Sequence, residues 1–402
     1  MGLRKHSNLA SYALGNILKY RTRSSAILIA LVFSTSFLGS AEFIREGVMT
    51  DVADSLDEGP DIVVQRLVAG RQAVVPIAWK SNLSMISGVR LATPRVWGYF
   101  DVGTGNLLTI MGVNATEYGS IVGVTGTQIV EDGRFLENSD RHKIVVGRGI
   151  VEIMRASMVI IEIGTSLSLI AQNGSLVEFE VVGIFSSDSK IYSYDMIVTD
   201  LDSAREVLGV DEFSYSDFAI WIDYGVNMND VAFRIDTQMP ETRVLTRDAL
   251  NDIMLKTYGG RAGSIALVWV AVLMTVVLLA FTVSSAGSDE ARREVGLLKA
   301  LGFDTLDVLE IRMIESFVLG ALGASLGISI AIVYDFILGA PLLSGYLLGW
   351  NLLLLNGGLP LVISAPTIFI IYSVALIPIL VATVVPAWRN AITEPDVVLR
   401  GV

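Results

Sequence analysis

The chain has 402 residues, of which 52% are hydrophobic and 17% charged, whereas an ordinary soluble domain carries roughly a quarter charged residues. That balance excludes a typical soluble protein and points to a membrane protein; the absence of cysteine also excludes disulfides, thiol catalysis and cysteine-based metal sites. The net charge of -12 is unevenly placed, since residues 42–261 hold 18 Lys+Arg against 31 Asp+Glu, a balance of -13, and so acidic a segment offers no cationic footprint for nucleic acid.

A helix crosses the hydrocarbon core with about 20 consecutive apolar residues. Charge-free runs of about that length are Ser24 to Ala41, a stretch within Ala262 to Ser288, Ser316 to Tyr334, and a stretch within Phe336 to Trp388. The expected fold class is therefore an α-helical membrane protein with four transmembrane helices plus a large mixed α/β extracytoplasmic domain between helices 1 and 2. Arg4, Lys5, Lys19, Arg21 and Arg23 precede the first run with no acid among them. The positive-inside rule then places the N-terminus in the cytoplasm, residues 42–261 outside the cell membrane, and the C-terminus in the cytoplasm. A cleavable signal peptide ending near Gly39 and Ala41 is the rival reading, but 18 apolar residues exceed the usual apolar region of about 7 to 15. Ahead of the span, Leu9, Tyr12, Ala13, Ile17 and Tyr20 recur at helical spacing, which predicts an amphipathic helix over 8–20 lying on the cytoplasmic membrane face.

After the first span, "AEFIREGVMTDVADSLDEG" keeps helical character while turning polar, and Gly59-Pro60 ends the helix. The β-rich runs "DIVVQRL", "VRLATPRVWGYFDV" and "LLTIMGV" follow, then "KIVVG", a short helix "RGIVEIMRA" and a hairpin turning at Asn173-Gly174, read as a type I′ turn. The helix "LDSAREVLGV", the strand "FAIWIDY" and the helix "RDALNDIMLKTY" complete a mixed α/β domain, with a division into two subdomains left open. Between the third and fourth spans, "FILGAPLLSGYLLGWNLLLLNGGLP" is apolar but broken by Gly and Pro. An interfacial loop is favoured there over a fifth span, which would put the C-terminus outside.

Enzyme motifs are missing. Without any Gly-Lys dipeptide there is no Gly-x-x-x-x-Gly-Lys-Ser/Thr phosphate loop, and His6 and His142, the only histidines, do not make a His-Glu-x-x-His zinc helix; both are expected on the surface. "KIVVGRGIVEIM" offers Gly147 and Gly149 but has Glu152 in place of the third glycine of a dinucleotide fingerprint, so an ordinary strand-to-helix turn is expected. No Ca²⁺ loop is present. Within the third span Gly320, Gly323 and Gly327, with Ala324 and Ala331, put small residues on one side of the helix, as close packing between spanning helices requires; whether within one subunit or between two is open. Ionisable residues of the kind that mark ion pathways are absent from the spans, Glu315 and Asp335 standing only at the ends of the third.

The segment after the second span, "EARREVGLLKALGF", is a charged helix joined to an apolar one. Val295, Leu298 and Leu301 or Gly302 are expected to form its apolar stripe, with Arg292, Arg293 and Lys299 free for polar contacts. On pattern alone it is either a lever pushed by a partner or a solvated connector.

"RREVGLLKALGF" resembles the corresponding segment of the FtsX and MacB-like permeases, the type VII ABC transporter group that includes LolC and LolE. "LASYALGNILKYRTRSSAIL" is similar to that family's amphipathic leading helix and first span, and "VEDGRFLENSDRHKIVVGRGIVEIM" with "IGTSLSLIAQNGSLVEFEVVGIF" looks like the core of its exterior domain. "VPAWRNAITEPDVVLRG" resembles its C-terminal ending, with Pro386, Arg389, Pro395, Leu399 and Arg400 in register; Asn390 departs from the pattern, and the apolar loop from Phe336 to Pro360 is long. The resemblance implies an N-terminal amphipathic helix (1–23), spans at 24–46, 262–288, 316–335 and 363–386, and a MacB-like exterior domain at 47–261. It further implies a coupling segment at 289–315, an exterior loop at 336–362 and a cytoplasmic tail at 387–402. Arg292, Arg293, Glu294, Gly296, Lys299 and Gly302 fall where the family's coupling helix docks on a separate ATPase. The implied protein is a non-catalytic permease subunit that couples ATP hydrolysis to movements of its exterior domain. Its task would be export or extraction of a lipophilic, peptide or lipoprotein cargo, or the regulation of an extracellular enzyme without transport. Expected partners are a cytoplasmic ABC ATPase dimer carrying ATP and Mg, a second permease subunit, the lipid membrane, and an extracytoplasmic adaptor or hydrolase. A membrane-anchored binding protein with no ATPase is the more distant alternative.

Overall fold

A computed structural model of the chain describes residues 2–101, 107–125, 128–156, 158–187, 189–286, 295–343 and 360–391. They form two compact units: Met1–Glu46, Gly260–Leu343 and Leu361–Val402 make one, and Gly47–Gly259 with Ser344–Pro360 the other.

The first unit is helical. α1 (Gly2–Lys19) and α2 (Arg21–Glu58) meet at Tyr20, whose amide still bonds Asn16 O at 2.9 Å. The second unit then starts within α2, which ends where Gly59 N turns back to Leu56 O at 3.2 Å. Along that unit come β1 (Ile62–Val68), β2 (Arg71–Ala73), β3 (Val75–Pro76), α3 (Trp79–Ser84), β4 (Val89–Asp101), β5 (Leu107–Val113), α4 (Ala115–Thr125), β6 (Gln128–Gly133) and β7 (Lys143–Gly147). α5 (Arg148–Ala156), β8 (Ser166–Ile170), β9 (Leu176–Ser187), α6 (Lys190–Asp195), β10 (Met196–Asp200) and α7 (Leu201–Leu208) follow. β11 (Ser214–Tyr215), β12 (Asp217–Ile222), α8 (Met228–Gln238) and β13 (Thr242–Thr246) complete it, before α9 (Arg247–Ala286) leads back to the first unit.

One mixed sheet of 11 strands runs through the second unit in the order β13-β1-β12-β4-β5-β10-β7-β9-β6, with β2 on β1 and β8 on β9. The division into two subdomains left open by the sequence is thus absent from the sheet. Its central strands are buried on both faces. In β5, Leu108 and Ile110 enter one core while Met111 and Val113 enter the other; in β10, Ile197 faces the first and Met196 and Val198 the second. Successive side chains of a strand alternate between faces, so a doubly covered sheet demands the continuous apolar runs seen in "KIVVG" and "MIVTD".

The hairpin between β8 and β9 differs from the type I′ expectation. Gly174 N bonds Ala171 O at 2.8 Å and Ala171 N bonds Ser175 O at 2.9 Å, and only Gly174 takes a positive φ, 83°. This is a three-residue loop in which the left-handed residue is Gly174 alone, while the Asn173 side chain accepts from Ser175 N at 2.9 Å. Gly147 and Gly149 have a packing reason: a Cβ on either would collide with α6, at Ser193 and Tyr194 respectively.

Among the described residues, three helices are long and apolar enough to cross a membrane: α2, α11 (Thr305–Phe336) and α12 (Ala365–Ala391), the last by its residues Ala365–Trp388. α9 contributes a shorter apolar stretch, Trp269–Leu278. Small residues of α11 meet α2 with both numberings rising together. A Cβ on Gly323 would lie 2.7 Å from Leu31 Cβ, one on Gly327 would lie 2.8 Å from Thr35 Cβ, and one on Gly39 would lie 3.1 Å from Ala331 Cβ. α2 and α11 are therefore parallel. α12 runs the other way against α11, since Ser316 pairs with Thr383 at 2.7 Å, Gly320 faces Leu376, and Ser325 pairs with Tyr372 at 2.7 Å. The stripe of Gly320, Gly323 and Gly327 thus packs within the chain. Asp335, one residue before the end of α11, and Glu315 are both buried. Asp335 Oδ1 accepts from the Ser40 hydroxyl, and its Oδ2 has no partner among the described residues.

Candidate functional site

The segment predicted to couple is described from Val295 onward; Arg292, Arg293 and Glu294 lie outside the described residues, as do Pro395, Leu399 and Arg400. Residues 295–300 are helical (α10). Gly302 takes φ 93°, Gly302 N bonds Lys299 O at 3.0 Å and Phe303 N bonds Leu298 O at 3.1 Å. These are the two bonds of a Schellman cap, in which a residue past the helix end turns left-handed and serves the orphan carbonyls. Phe303 packs beside Leu298 in the same apolar cluster. Gly302 therefore does its work through its backbone, and a Cβ there would have nothing within 4 Å. Asp304 caps α11 at once, with Asp307 accepting from Asp304 N at 3.0 Å in a reciprocal capping box.

Two helices joined by so tight a turn need a platform, and α1 provides it. Leu9 and Ala13 are buried against Val295, Leu298, Val308 and Ile311; full burial of a leucine contributes about 1.5–3 kcal/mol. Leu9 and Ala13 of the α1 stripe are thus covered by α10 and α11, while Tyr12, Leu14 and Leu18 of the same helix stay exposed. Polar contacts run beside it. Lys5 Nζ lies 2.7 Å from Asp307 Oδ1, His6 Nδ1 lies 2.6 Å from Glu310 Oε1, and Asn16 Nδ2 donates to Glu315 Oε1 at 2.9 Å. The Lys5 hydrogen bond holds the Asp307 carboxyl below the usual carboxylate range, and the same contact raises the ammonium.

Seating Val295 and Leu298 turns another face outward. Gly296 is buried and Lys299 half-buried, whereas Leu297, Leu301 and Leu306 are 61%, 69% and 76% exposed. Leu301 thus leaves the predicted inner stripe because α10 ends at the Schellman turn and its last residues swing clear of α1. An i, i+4 leucine pair flanked by a third leucine is what a hydrophobic partner groove takes up. The spacing Leu297, Leu301 was legible in the sequence; which face α1 would occupy was not. Of the C-terminal motif, Pro386 is buried inside α12 and Arg389 lies in the same helix.

In the second unit a junction ties the end of α2 to the start of α9. Arg247 N bonds Asp61 O at 2.9 Å, and Arg247 Nη2 donates to Asp61 Oδ1 at 3.0 Å. Asp61 Oδ2 in turn accepts from Ile222 N at 3.0 Å. Upstream, Glu58 accepts from Ser187 Oγ at 2.6 Å and Asp51 from Lys190 N at 2.6 Å, so the outer turns of α2 are pinned to the connection between β9 and α6. None of these residues stood out in the sequence, because their partners are distant along the chain. His142 and His6 are both engaged by carboxylates, His142 Nε2 lying 2.7 Å from Glu206 Oε2, and no cluster suited to a metal ion occurs among the described residues.

Residues 265–395 match the FtsX-like permease C-terminal family. Over 348 residues, 82% of this chain and 84% of the relative, the chain is 22% identical to the uncharacterised ABC transporter permease MJ1507 of Methanocaldococcus jannaschii. Among solved structures it is similar to the periplasmic region of MacB from Actinobacillus actinomycetemcomitans, at 13% identity, 48% of this chain, 91% of that one and a TM-score of 0.35. The extracellular domain of YknZ, a noncanonic ABC-type transporter from Gram-positive bacteria, matches at 12% identity, 46% of this chain, 99% of that one and a TM-score of 0.34. Residues 265–395 thus carry an FtsX-like permease C-terminal domain, and over most of its length the chain is similar to an ABC transporter permease.

Proposed function

We propose that this permease converts ATP hydrolysis by a separate ATPase subunit into movement of its extracytoplasmic unit, driving export or extraction of cargo. The carrying observation is the exposed face Leu297, Leu301 and Leu306, presented on a turn that is locked to α1 and α11 by the apolar cluster and the Lys5–Asp307 pair. An ATPase that binds this face differently in its ATP-bound and free states biases two arrangements of the helices, which is all that coupling requires. Helix directions support the four-span topology. With α2 and α11 parallel, the chain between them returns across the membrane once, and α9 supplies that crossing. With α12 antiparallel to α11, residues 337–364 make no net crossing, in keeping with an exterior interfacial loop and a cytoplasmic C-terminus. The Arg247–Asp61 junction gives the two stems a common footing in the exterior unit.

The test is the Leu297→Ser, Leu301→Ser double variant, co-expressed with the ATPase and reconstituted in liposomes. The variant is expected to fold with an unchanged melting temperature, to lose most of its co-purified ATPase and to abolish permease-stimulated hydrolysis. Normal association and stimulation would remove the coupling role. Loss of a cell-wall phenotype without any change in cargo release would assign the output to enzyme regulation.

A further inference from the structure

The second unit carries three Asn-x-Ser/Thr triplets, the acceptor pattern for N-linked oligosaccharide, at Asn82, Asn114 and Asn173, and the fold treats them differently. Asn82 lies within α3, whose Ser84 stands two residues on in the same helix. Residues two apart on a helix do not face each other, so hydroxyl and amide are held apart. Asn114 is half-buried at the start of α4, where its Oδ1 accepts from Glu117 N at 3.1 Å. Its Thr116 N donates instead to Asn138 Oδ1 at 3.2 Å. Of the three, Asn173 alone sits at a hairpin tip, exposed together with Gln172, Gly174 and Ser175. There Ser175 N and Ser175 Oγ donate to Asn173 Oδ1 at 2.9 and 2.7 Å, and Asn173 Nδ2 has no partner among the described residues.

We propose that Asn173 is the acceptor for an N-linked oligosaccharide. Asn173 Nδ2 attacks the anomeric carbon of a polyprenyl-phosphate-linked sugar; the carbon–oxygen bond to the phosphate breaks, the phosphate leaves with the bonding electrons, and an amide proton passes to a base of the transferase. An amide nitrogen is a poor nucleophile because its lone pair is shared with the carbonyl, and it attacks only as that proton leaves and charge gathers on oxygen. The two hydrogen bonds from Ser175 meet Asn173 Oδ1 where that charge develops, as donors aimed at a forming oxyanion do. Gly174 makes the turn with φ 83° and brings no side chain to crowd the nitrogen. Below the tip, the register partners Ile170 and Leu176 are 47% and 70% exposed, an aliphatic platform for the first sugar. The inference rests on the exterior placement of the second unit under the proposed function, since such transfer takes place on exported chain.

The folded full-length chain in mild detergent is given a polyprenyl-linked oligosaccharide and a purified oligosaccharyltransferase that asks only for the triplet, and glycopeptides are followed by mass spectrometry. Asn173 is expected to be modified about tenfold or more faster than Asn82 or Asn114, whose helices must open first; in denatured chain the three rates converge. Asn173→Gln and Ser175→Ala abolish the fast reaction and Ser175→Thr keeps it, with melting temperatures equal to wild type showing that only the exposed tip has changed. Equal rates at the three sites in the folded chain, or a fast reaction that survives Ser175→Ala, overturn the assignment, and so does a bare Asn173 in the chain taken from its own membranes. A single Glu178→Cys label in this cysteine-free chain, reached by an impermeant maleimide from the exterior only, reports the placement of the unit separately. A bare Asn173 with correct labelling removes the site and leaves the proposed function standing, whereas labelling from the cytoplasmic side alone removes the topology on which both rest.

Discussion

Alanine at Gly320, Gly323 and Gly327 should cost stability in that rising order. At Gly320 the new Cβ meets Leu376 Cδ2 at 2.7 Å, the far end of a flexible side chain, with Ile379 Cγ2 at 3.4 Å. Relief by rotation costs about 1 kcal/mol, at the low end of overpacking, and Ala gains roughly 1 kcal/mol over Gly in a helix interior, so the net change is about zero. At Gly323 the obstacle is Leu31 Cβ, which no rotamer moves. At Gly327 the Cβ overlaps Thr35 Oγ1 and lies 2.8 Å from Thr35 Cβ and 2.9 Å from the Ser36 amide nitrogen, so α2 itself must retreat. That movement also breaks the 3.0 Å bond from Thr35 Oγ1 to Gly323 O, of a kind that contributes about 0.6 kcal/mol in membranes. Overpacking of about 3 kcal/mol, plus the lost bond and less the propensity gain, leaves roughly 2 to 3 kcal/mol for Gly327→Ala, at least 30-fold in the folded to unfolded ratio. Reversible unfolding of the purified chain in mixed micelles would read this, and Thr35→Ala should return part of the loss in the double variant. A neutral Gly327→Ala would refute the parallel packing of α2 on α11.

Gly302→Ala places a Cβ at φ 93° in open space, so its cost is backbone strain alone, about 1–2 kcal/mol, and Gly302→Asn should recover much of it; both effects should appear in ATPase coupling as well as in melting. Asp140 accepts from Arg134 at 2.6 and 3.0 Å, from Glu137 N at 2.8 Å and from Lys143 at 3.1 Å, and the Arg134 contact above all holds its carboxyl well below the usual range. Because the folded state resists protonation, this contribution is complete above the unfolded value of about 3.9 and disappears as pH falls through the lower folded value. Asp140→Asn should therefore lose about 1–2 kcal/mol at neutral pH and show a flatter acid-unfolding profile. Arg247→Ala leaves Asp61 without its cation and should lower the stability of the second unit by about 1–2 kcal/mol and, on the proposed function, weaken the transmission of ATPase-driven movement, measured by distance labels in that unit.

Much of the architecture was legible because it is written in local pattern. The charge-free runs, the long helix "AEFIREGVMTDVADSLDEG" and the strand and helix order of the second unit all follow from short-range periodicity, which a helix or strand must satisfy wherever it packs. The coupling turn was legible as a place but not as a surface. Which of Leu297, Leu298 and Leu301 faces outward depends on where α1 sits, and α1 is held there by Lys5, His6 and Asn16 contacting residues some 300 positions away. The type I′ expectation at Asn173-Gly174 failed similarly, because loop length is set by the register of β8 on β9, Ile170 opposite Leu176, rather than by the dipeptide.

By itself the sequence determined that the chain enters a membrane, lacks the common nucleotide-hydrolysing and zinc motifs and resembles a permease, since hydropathy, charge and motif are properties of neighbours along the chain. Only the tertiary structure decided that Gly323 and Gly327 of α11 receive α2 in parallel and that Leu297, Leu301 and Leu306 are left exposed. Those are contacts between distant residues, and close packing fixes them only once every helix is in place.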